Sequence, residues 1–308
     1  MSLLRSTFIS LSRNSTLRHF SEQSSFGRRM SSRFVAGFRI EDALAAAASL
    51  NSQGLSVTLD SLGENVTTPD QARQSAQVYH WLLDAIAQGK LDANVSLKLT
   101  QMGMDLGPET VTETVSSLVD HAVQADSFVR VDMEGTAYTQ ATIDLVRRLH
   151  AQPENGGHVG IVIQAYLRRS ADDVAALLRD RIRIRLCKGA YKEPPDLAFP
   201  EKKDVDANFV ALTKVLLKSG VFHGIATHDP AMIAATKDFA RAERIDPKTF
   251  EFQMLYGVRR DLQRSLVQEG YRVRVYVPFG DEWYPYFMRR LAERPANVLF
   301  LARNFFRK

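Results

Sequence analysis

From Leu55 to Glu293, short runs of apolar and β-branched residues alternate eight times with longer stretches of helical periodicity. That alternation narrows the choice of fold more than any other feature of the chain. The spacing predicts strands over Leu55–Asp60, Asn94–Thr100, Phe128–Glu134, Val159–Tyr166, Ile182–Lys188, His223–Thr227, Phe250–Leu255 and Arg272–Pro278. It predicts helices over Pro69–Gln88, Pro108–Gln124, Thr139–His150, Ala171–Asp180, Asp204–Lys218, Pro230–Arg241, Arg259–Gln268 and Asp281–Glu293, after a lead helix at Ile40–Asn51. Pro69, Pro108 and Pro230 fall at helix starts, where an absent N–H breaks no bond, and Gly89, Gly220 and Gly270 fall at helix ends. Strands separated by helices pair in parallel, and eight such units in about 250 residues have the length and rhythm of an α/β fold of the (βα)8 TIM-barrel type. An open doubly wound sheet seldom needs so many regular units. The chain accordingly divides into an N-terminal helical segment, 1–52, and the barrel domain, 53–308.

Charge is distributed unevenly. The net charge is +5, yet residues 1–40 hold seven arginines, no lysine and one acid, Glu22, for +6, which leaves −1 for the other 268 residues. With a near-neutral body and no zinc-finger or RNP-type motif, a nucleic-acid partner is not expected. The Arg-, Ser- and Leu-rich start has the composition of a mitochondrial transit peptide. Its apolar residues, among them Leu3, Leu4, Phe8, Leu11, Phe34 and Val35, also recur at roughly helical spacing. The preferred reading is an amphipathic lead helix that packs on the barrel or touches an anionic membrane surface. No apolar run approaches the ~18 residues that a membrane span needs. Cys187 is the only cysteine, which excludes an internal disulfide and a cysteine zinc site. A reducing, cytoplasmic setting fits, with or without peripheral contact at the inner membrane.

In a barrel of this kind the chemistry lies at the C-terminal ends of the strands. The predicted tips carry Asp60 with Glu64 after it, Lys98, Asp132 and Glu134, Gln164, Arg185 and Lys188, Thr227 and His228, Gln253, and Tyr276, whereas the predicted strand starts are blander. A charge at a strand end is often simply solvated. Lys98, Asp132 and Arg185, however, are embedded in apolar runs, where an unpaired charge is costly. Three such charges point to one shared, mutually paired site. Arg289 and Arg290, with Glu293 one turn on, lie on the last helix, which a closed barrel brings to the same mouth as Lys98. Guanidinium forks bind carboxylates bidentately, so an acidic small-molecule ligand is indicated.

Other chemistries fit less well. Gly156-Gly157-His158-Val159-Gly160 precedes a strand instead of following one and is no dinucleotide fingerprint. There is no P-loop, and the seven histidines lack metal-ligand spacing, so no metal is expected. The residues alone leave open a flavin-free barrel that binds a carboxylate and forms an imine at Lys98 or Lys188. They also leave open a barrel tethered to membrane by its basic start, although that reading does not account for the polar tips.

Along the chain stand the motifs Leu59-Asp60-Ser61-Leu62-Gly63-Glu64, Val95-Ser96-Leu97-Lys98-Leu99, Arg130-Val131-Asp132-Met133-Glu134, Ile163-Gln164-Ala165-Tyr166 and Arg185-Leu186-Cys187-Lys188-Gly189-Ala190-Tyr191. Ala226-Thr227-His228-Asp229, Phe252-Gln253-Met254-Leu255-Tyr256-Gly257 and the run from Tyr284 to Glu293 complete the set. In these motifs and their order the chain resembles the proline dehydrogenase family, in its bacterial single-function form.

The resemblance implies a (βα)8 barrel that holds FAD at its strand tips, oxidises L-proline to Δ1-pyrroline-5-carboxylate and passes electrons to a quinone. A pyrroline-5-carboxylate dehydrogenase would act on the product. By similarity, Lys98, Arg289 and Arg290 would hold the proline carboxylate, with Glu64 paired to Arg289 as a lid. Tyr191, Leu255 and Tyr276 would wall the proline ring. Asp132 would pair within the polar cluster near Lys98, and Arg185 would hydrogen-bond the flavin near its reactive nitrogen. Gln164 would meet the pyrimidine edge of the flavin. Met133, Lys188, Gly189, Ala190, Thr227, His228 and Glu293 would complete the cofactor site. Cys187 stands where the family commonly has valine, and a buried thiol packs like a small hydrophobe.

Overall fold

The strands close into a barrel in simple sequence order, each parallel to the next, with the first strand paired to the eighth. The computed structural model describes residues 32–293, with side chains through Met288. Its elements are α1 (Ile40–Asn51), β1 (Ser56–Ser61), α2 (Pro69–Gly89), β2 (Ala93–Leu97), α3 (Pro108–Gln124), β3 (Val129–Val131), α4 (Thr136–His150), β4 (Val159–Gln164) and α5 (Ser170–Arg179). They continue as β5 (Arg183–Cys187), α6 (Lys202–Lys218), β6 (His223–Ala226), α7 (Pro230–Ala242), β7 (Phe250–Leu255), α8 (Arg260–Gln268), β8 (Arg272–Phe279) and α9 (Trp283–Glu293). The expected TIM-type fold is the observed one.

Period-two alternation builds two different surfaces from the same strands. One set of residues, including Leu59, Leu97, Val131, Ile161, Leu186, Ile225, Phe252 and Val275, joins the apolar layer beneath the helices. The helices answer with matching stripes. On α2 the buried set is Ala72, Ala76, Tyr79, Leu82, Leu83 and Ile86, the same residues whose spacing predicts the helix. Each large apolar side chain buried in this way contributes roughly 1.5–3 kcal/mol. Pro69 opens α2 behind Thr68, whose side chain accepts the Gln71 N–H at 3.3 Å. The alternate strand residues, such as Asp60, Ser96, Arg185, Gln253 and Tyr276, form the polar lumen.

Strand ends differ from expectation in an instructive way. The predicted Phe128–Glu134 strand is only Val129–Val131. Asp132 N still donates to Leu97 O at 2.8 Å, but Glu134 has turned to bind Thr100 through its backbone N–H at 3.1 Å and its hydroxyl at 2.8 Å. Gly135 then caps α4, which begins at Thr136 and not Thr139. Lys98 likewise lies just past β2, and its carbonyl accepts the Gln101 N–H at 3.2 Å. The charged groups therefore sit where the ladder opens.

Of the expected N-terminal lead helix, residues 1–31 lie outside the described residues. Phe34 and Val35 lie in a turn, not a helix, and are buried with Trp283, Tyr284 and Phe287 of α9. Ala36 N donates to Pro278 O at 2.9 Å and Gly280 N to Gly37 O at 3.0 Å, so this segment straps the exit of β8. Among the described residues, no helix is long and apolar enough to cross a membrane.

One buried group links the fold to pH. His223, at the start of β6, accepts the Ile184 N–H at Nδ1 (3.0 Å), and its Nε2 lies 2.9 Å from Ser219 Oγ. The Ser219 hydroxyl already donates to Leu216 O at 2.7 Å, so it accepts from Nε2 and the ring is neutral. Burial, helped by Arg130 and Arg183, brings its pKa from 6.5 down to about 3. Between these values the unfolded chain binds a proton that the folded chain does not. Stability therefore falls as pH falls through this window, by up to about 1.4 kcal/mol per pH unit from this group. In urea titrations between about pH 4 and pH 7, His223→Gln should lose stability less steeply on acidification than the parent. Parallel profiles would show that His223 is not the responsible group.

Candidate active site

At the C-terminal ends of the strands, charges from different parts of the chain meet as two buried pairs. Lys98 Nζ lies 3.2 and 3.3 Å from the two carboxylate oxygens of Asp60, whose residue is fully buried. Tyr79 OH, reaching in from α2, lies 3.4 Å from Asp60 Oδ1. Burial lowers the affinity of Lys98 for its proton, but Asp60, Asp132 and Glu64 outweigh it and hold the ammonium above its usual range. Burial raises the Asp60 carboxyl against the opposing pull of Lys98.

The second pair is Arg185 with Asp132. Arg185 Nη1 donates to Asp132 Oδ1 at 2.8 Å and to Ser96 Oγ at 3.1 Å, and Nε donates to Gln253 Oε1 at 2.5 Å. Ser96 Oγ also lies 2.7 Å from Asp132 Oδ1, and Tyr276 OH donates to Oδ2 at 2.9 Å. Strands β2, β3, β5, β7 and β8 thus converge on one guanidinium–carboxylate pair. The Tyr276 phenol is pushed well above its usual range by burial and by Asp132 and Asp60, so it stays a donor. Its ring faces the Arg185 guanidinium at 5.2 Å. Arg185 Nη2 is buried and has no partner among the described residues.

Both pairs border a cavity of about 560 Å³, within the range of small-molecule and cofactor sites. The β5 exit forms much of its wall. Gly189 adopts φ +120°, and a Cβ there would come within 2.2 Å of the Tyr166 ring, so the backbone lies flat against that ring only because the residue is glycine. Lys188 is paired with Asp206 and, at 2.8 Å, with Asp229, which also caps α7 through Ala231 N at 3.0 Å. The Leu255 N–H donates to His228 Nε2 at 2.9 Å. Burial pushes the Cys187 thiol up to about 12 against the pull of Arg185, so it is a protonated packing group.

Most of the residues expected at the site line this one cavity. Lys98, Glu64, Asp132, Tyr191, Leu255 and Tyr276 do so on the expected substrate side. Met133, Gln164, Arg185, Lys188, Gly189, Ala190, Thr227 and His228 do so on the expected cofactor side. The side chains of Arg289, Arg290 and Glu293 lie outside the described residues, although α9 itself is placed beside the strap at the mouth of the barrel. The expected pairing is refined, because the direct partner of Lys98 is Asp60, while Asp132 serves Arg185.

Sequence reasoning gave no part to the lumen below the tips. There Glu251 Oε1 accepts from Arg274 Nε at 2.8 Å and from Gln253 Nε2 at 2.6 Å, and Arg130 Nη1 donates to Ile161 O at 3.1 Å. The signal was present in the alternation itself, since Arg130/Asp132, Arg183/Arg185, Glu251/Gln253 and Arg274/Tyr276 each share a strand face.

Comparison with known proteins agrees with the barrel fold. A proline dehydrogenase family model matches residues 43–303. Proline dehydrogenase 1 of Bacillus subtilis subsp. natto is 42% identical over 307 residues, 99% of this chain and 100% of that one. Proline dehydrogenase of Deinococcus radiodurans is 40% identical over 275 residues, 88% of each chain. Among solved structures, proline utilization A (PutA) from Bdellovibrio bacteriovorus inactivated by N-propargylglycine superposes with a TM-score of 0.83 at 26% identity. That match covers 94% of this chain and 36% of that one. A match that spans the barrel, together with end-to-end likeness to single-function enzymes, shows that the chain belongs to the proline dehydrogenase family.

Proposed function

We propose that this chain catalyses the FAD-dependent oxidation of L-proline to Δ1-pyrroline-5-carboxylate, with electrons passed on to a quinone. The observation that carries the reading is the convergence of two buried charge pairs on one cavity at the strand tips. The residues present suit a flavin. Arg185 Nη2 is a buried donor with no partner among the described residues, as a site for an acceptor-rich ring requires. In this site FAD would supply the two-electron oxidant, an acceptor at N5 for the hydride that C5 of proline gives up.

The protein's own part is placement and electrostatics. Lys98 offers the substrate carboxylate an ammonium that Asp60 keeps charged and fixed. By resemblance to the family, Arg289 and Arg290 would join that clamp, with Glu64, which lines the same cavity, as its lid. Arg185, held in place by Asp132, would supply a fixed positive charge beside the flavin, stabilising negative charge that develops there. Tyr276 OH keeps its proton and donates to Asp132, which leaves its ring, with Leu255 and Tyr191, to confine the substrate. Lys188 and the exposed Lys202, both ion-paired with Asp206 and Asp229, would face the phosphates, while Met133, Gln164, Ala190, Thr227 and His228, and by family resemblance Glu293, would hold the remainder of the cofactor. The basic charge of residues 1–40 supports peripheral contact of a cytoplasmic enzyme with the membrane that holds the quinone. A pyrroline-5-carboxylate dehydrogenase consumes the product.

Purified protein given FAD should be yellow, and its flavin absorbance should bleach anaerobically on addition of L-proline. Protein that stays colourless with added FAD, or flavin that L-proline leaves oxidised, would contradict the reading. Loss of a charged hydrogen bond to substrate removes about 1.5–3 kcal/mol of binding. Lys98→Met should therefore raise KM for proline about tenfold to a hundredfold while FAD stays bound. An unchanged KM would remove Lys98 from the carboxylate site.

A further inference from the structure

Gln253 has no part in the chemistry above, yet its amide lies buried between two charged groups. The planar Arg185 guanidinium is held at two edges, with Nη1 on Asp132 Oδ1 (2.8 Å) and Ser96 Oγ (3.1 Å) and Nε on Gln253 Oε1 (2.5 Å). Two anchors fix a plane. What remains is Nη2, the buried donor with no partner among the described residues.

The direction of the Gln253 amide is itself determined. Its Nε2 donates to Glu251 Oε1 at 2.6 Å, and that same oxygen accepts from Arg274 Nε at 2.8 Å. Burial alone would raise the Glu251 carboxyl, but Arg274 and Gln253 hold it below its usual range, so it is ionised and can only accept. Reversing the amide would set its NH2 against Arg185 Nε, donor to donor, and its carbonyl against the Glu251 carboxylate. Space is determined as well. A Cβ on Gly224, on the neighbouring strand β6, would fall 2.3 Å from Gln253 Nε2 and 2.7 Å from its Cδ, so only glycine leaves room for the amide. Asp132 and Gln253 therefore hold Arg185 from opposite sides, and Glu251 and Gly224 set the second hold.

We propose that Gln253 is a positioning residue for the oxidation of proline, clamping Arg185 at Nε so that Nη2 is presented to the flavin in one orientation. The proposal rests on the flavin reading. It acts through Arg185 and adds no charge of its own, which separates it from a direct field effect.

Gln253→Leu removes the clamp without changing charge. FAD should still bind, and two-electron reduction should become about tenfold less favourable, about 30 mV lower in midpoint potential. The value of kcat should fall severalfold, while KM for proline should stay within about twofold. Gly224→Ala, which displaces the amide without altering either polar partner, should shift the potential in the same direction and serves if Gln253→Leu does not fold. A variant that binds FAD with the parental potential would overturn the proposal. A parent that binds no FAD would instead sink the flavin reading, and the clamp would then be read in crystals of the apoprotein. There, a guanidinium rotated away from its parental pose in Gln253→Leu supports the clamp, and one left in place overturns it.

Discussion

The cost of an unpaired charge inside a barrel is the constraint on which this site depends. Lys98, Asp60, Arg185 and Asp132 all lie in or at the mouth of the lumen, where little of each is exposed, and each is matched by an opposite charge from another strand. Leaving one member of such a pair alone costs about 3–5 kcal/mol, a large part of the stability of an ordinary domain. Charges of this kind are held by several strands at once, and they move only if the barrel moves. The rigidity that a positioning site needs thus comes from the same compensation that makes the charges tolerable.

The compensation extends below the site. Glu251 carries a negative charge into the lumen, where Arg274 holds it and Arg130 and Arg183 stand near. Gln253 joins this lower layer to Arg185 above it. In many barrels of this architecture the lumen is filled by branched apolar residues. Here polar groups take much of that place, and inward glycines such as Gly224 give the long side chains room. The apolar work falls to the outer layer between strands and helices, which is continuous around the barrel.

The fold was legible because eight strand–helix units leave little freedom, and the buried stripe of α2 could be named residue by residue from its spacing. The rim of the site was legible too, since charges embedded in apolar runs mark strand tips. What could not be read was partnership. Lys98 sits as near in sequence to Asp132 as to Asp60, and only the closure of β1 against β2 and β8 decides that its direct partner is Asp60. The turn at Phe34 and Val35 escaped for a similar reason, because their spacing suits a helix, but the aromatic face of α9 that buries them arrives from the other end of the chain. Period-two alternation did place Glu251 and Arg274 inward, and a reading confined to strand tips passed over them.

The central claim is that the two charge pairs at the strand tips divide the work, with Lys98 toward the substrate carboxylate and Arg185 toward the flavin. A crystal structure of the protein with FAD and a proline analogue whose ring nitrogen is replaced by oxygen tests this most directly. The account predicts the analogue's carboxylate within hydrogen-bond distance of Lys98 Nζ and Arg185 Nη2 within hydrogen-bond distance of the flavin ring. A flavin bound away from the strand tips, or a carboxylate seated on Arg185 instead of Lys98, would contradict it.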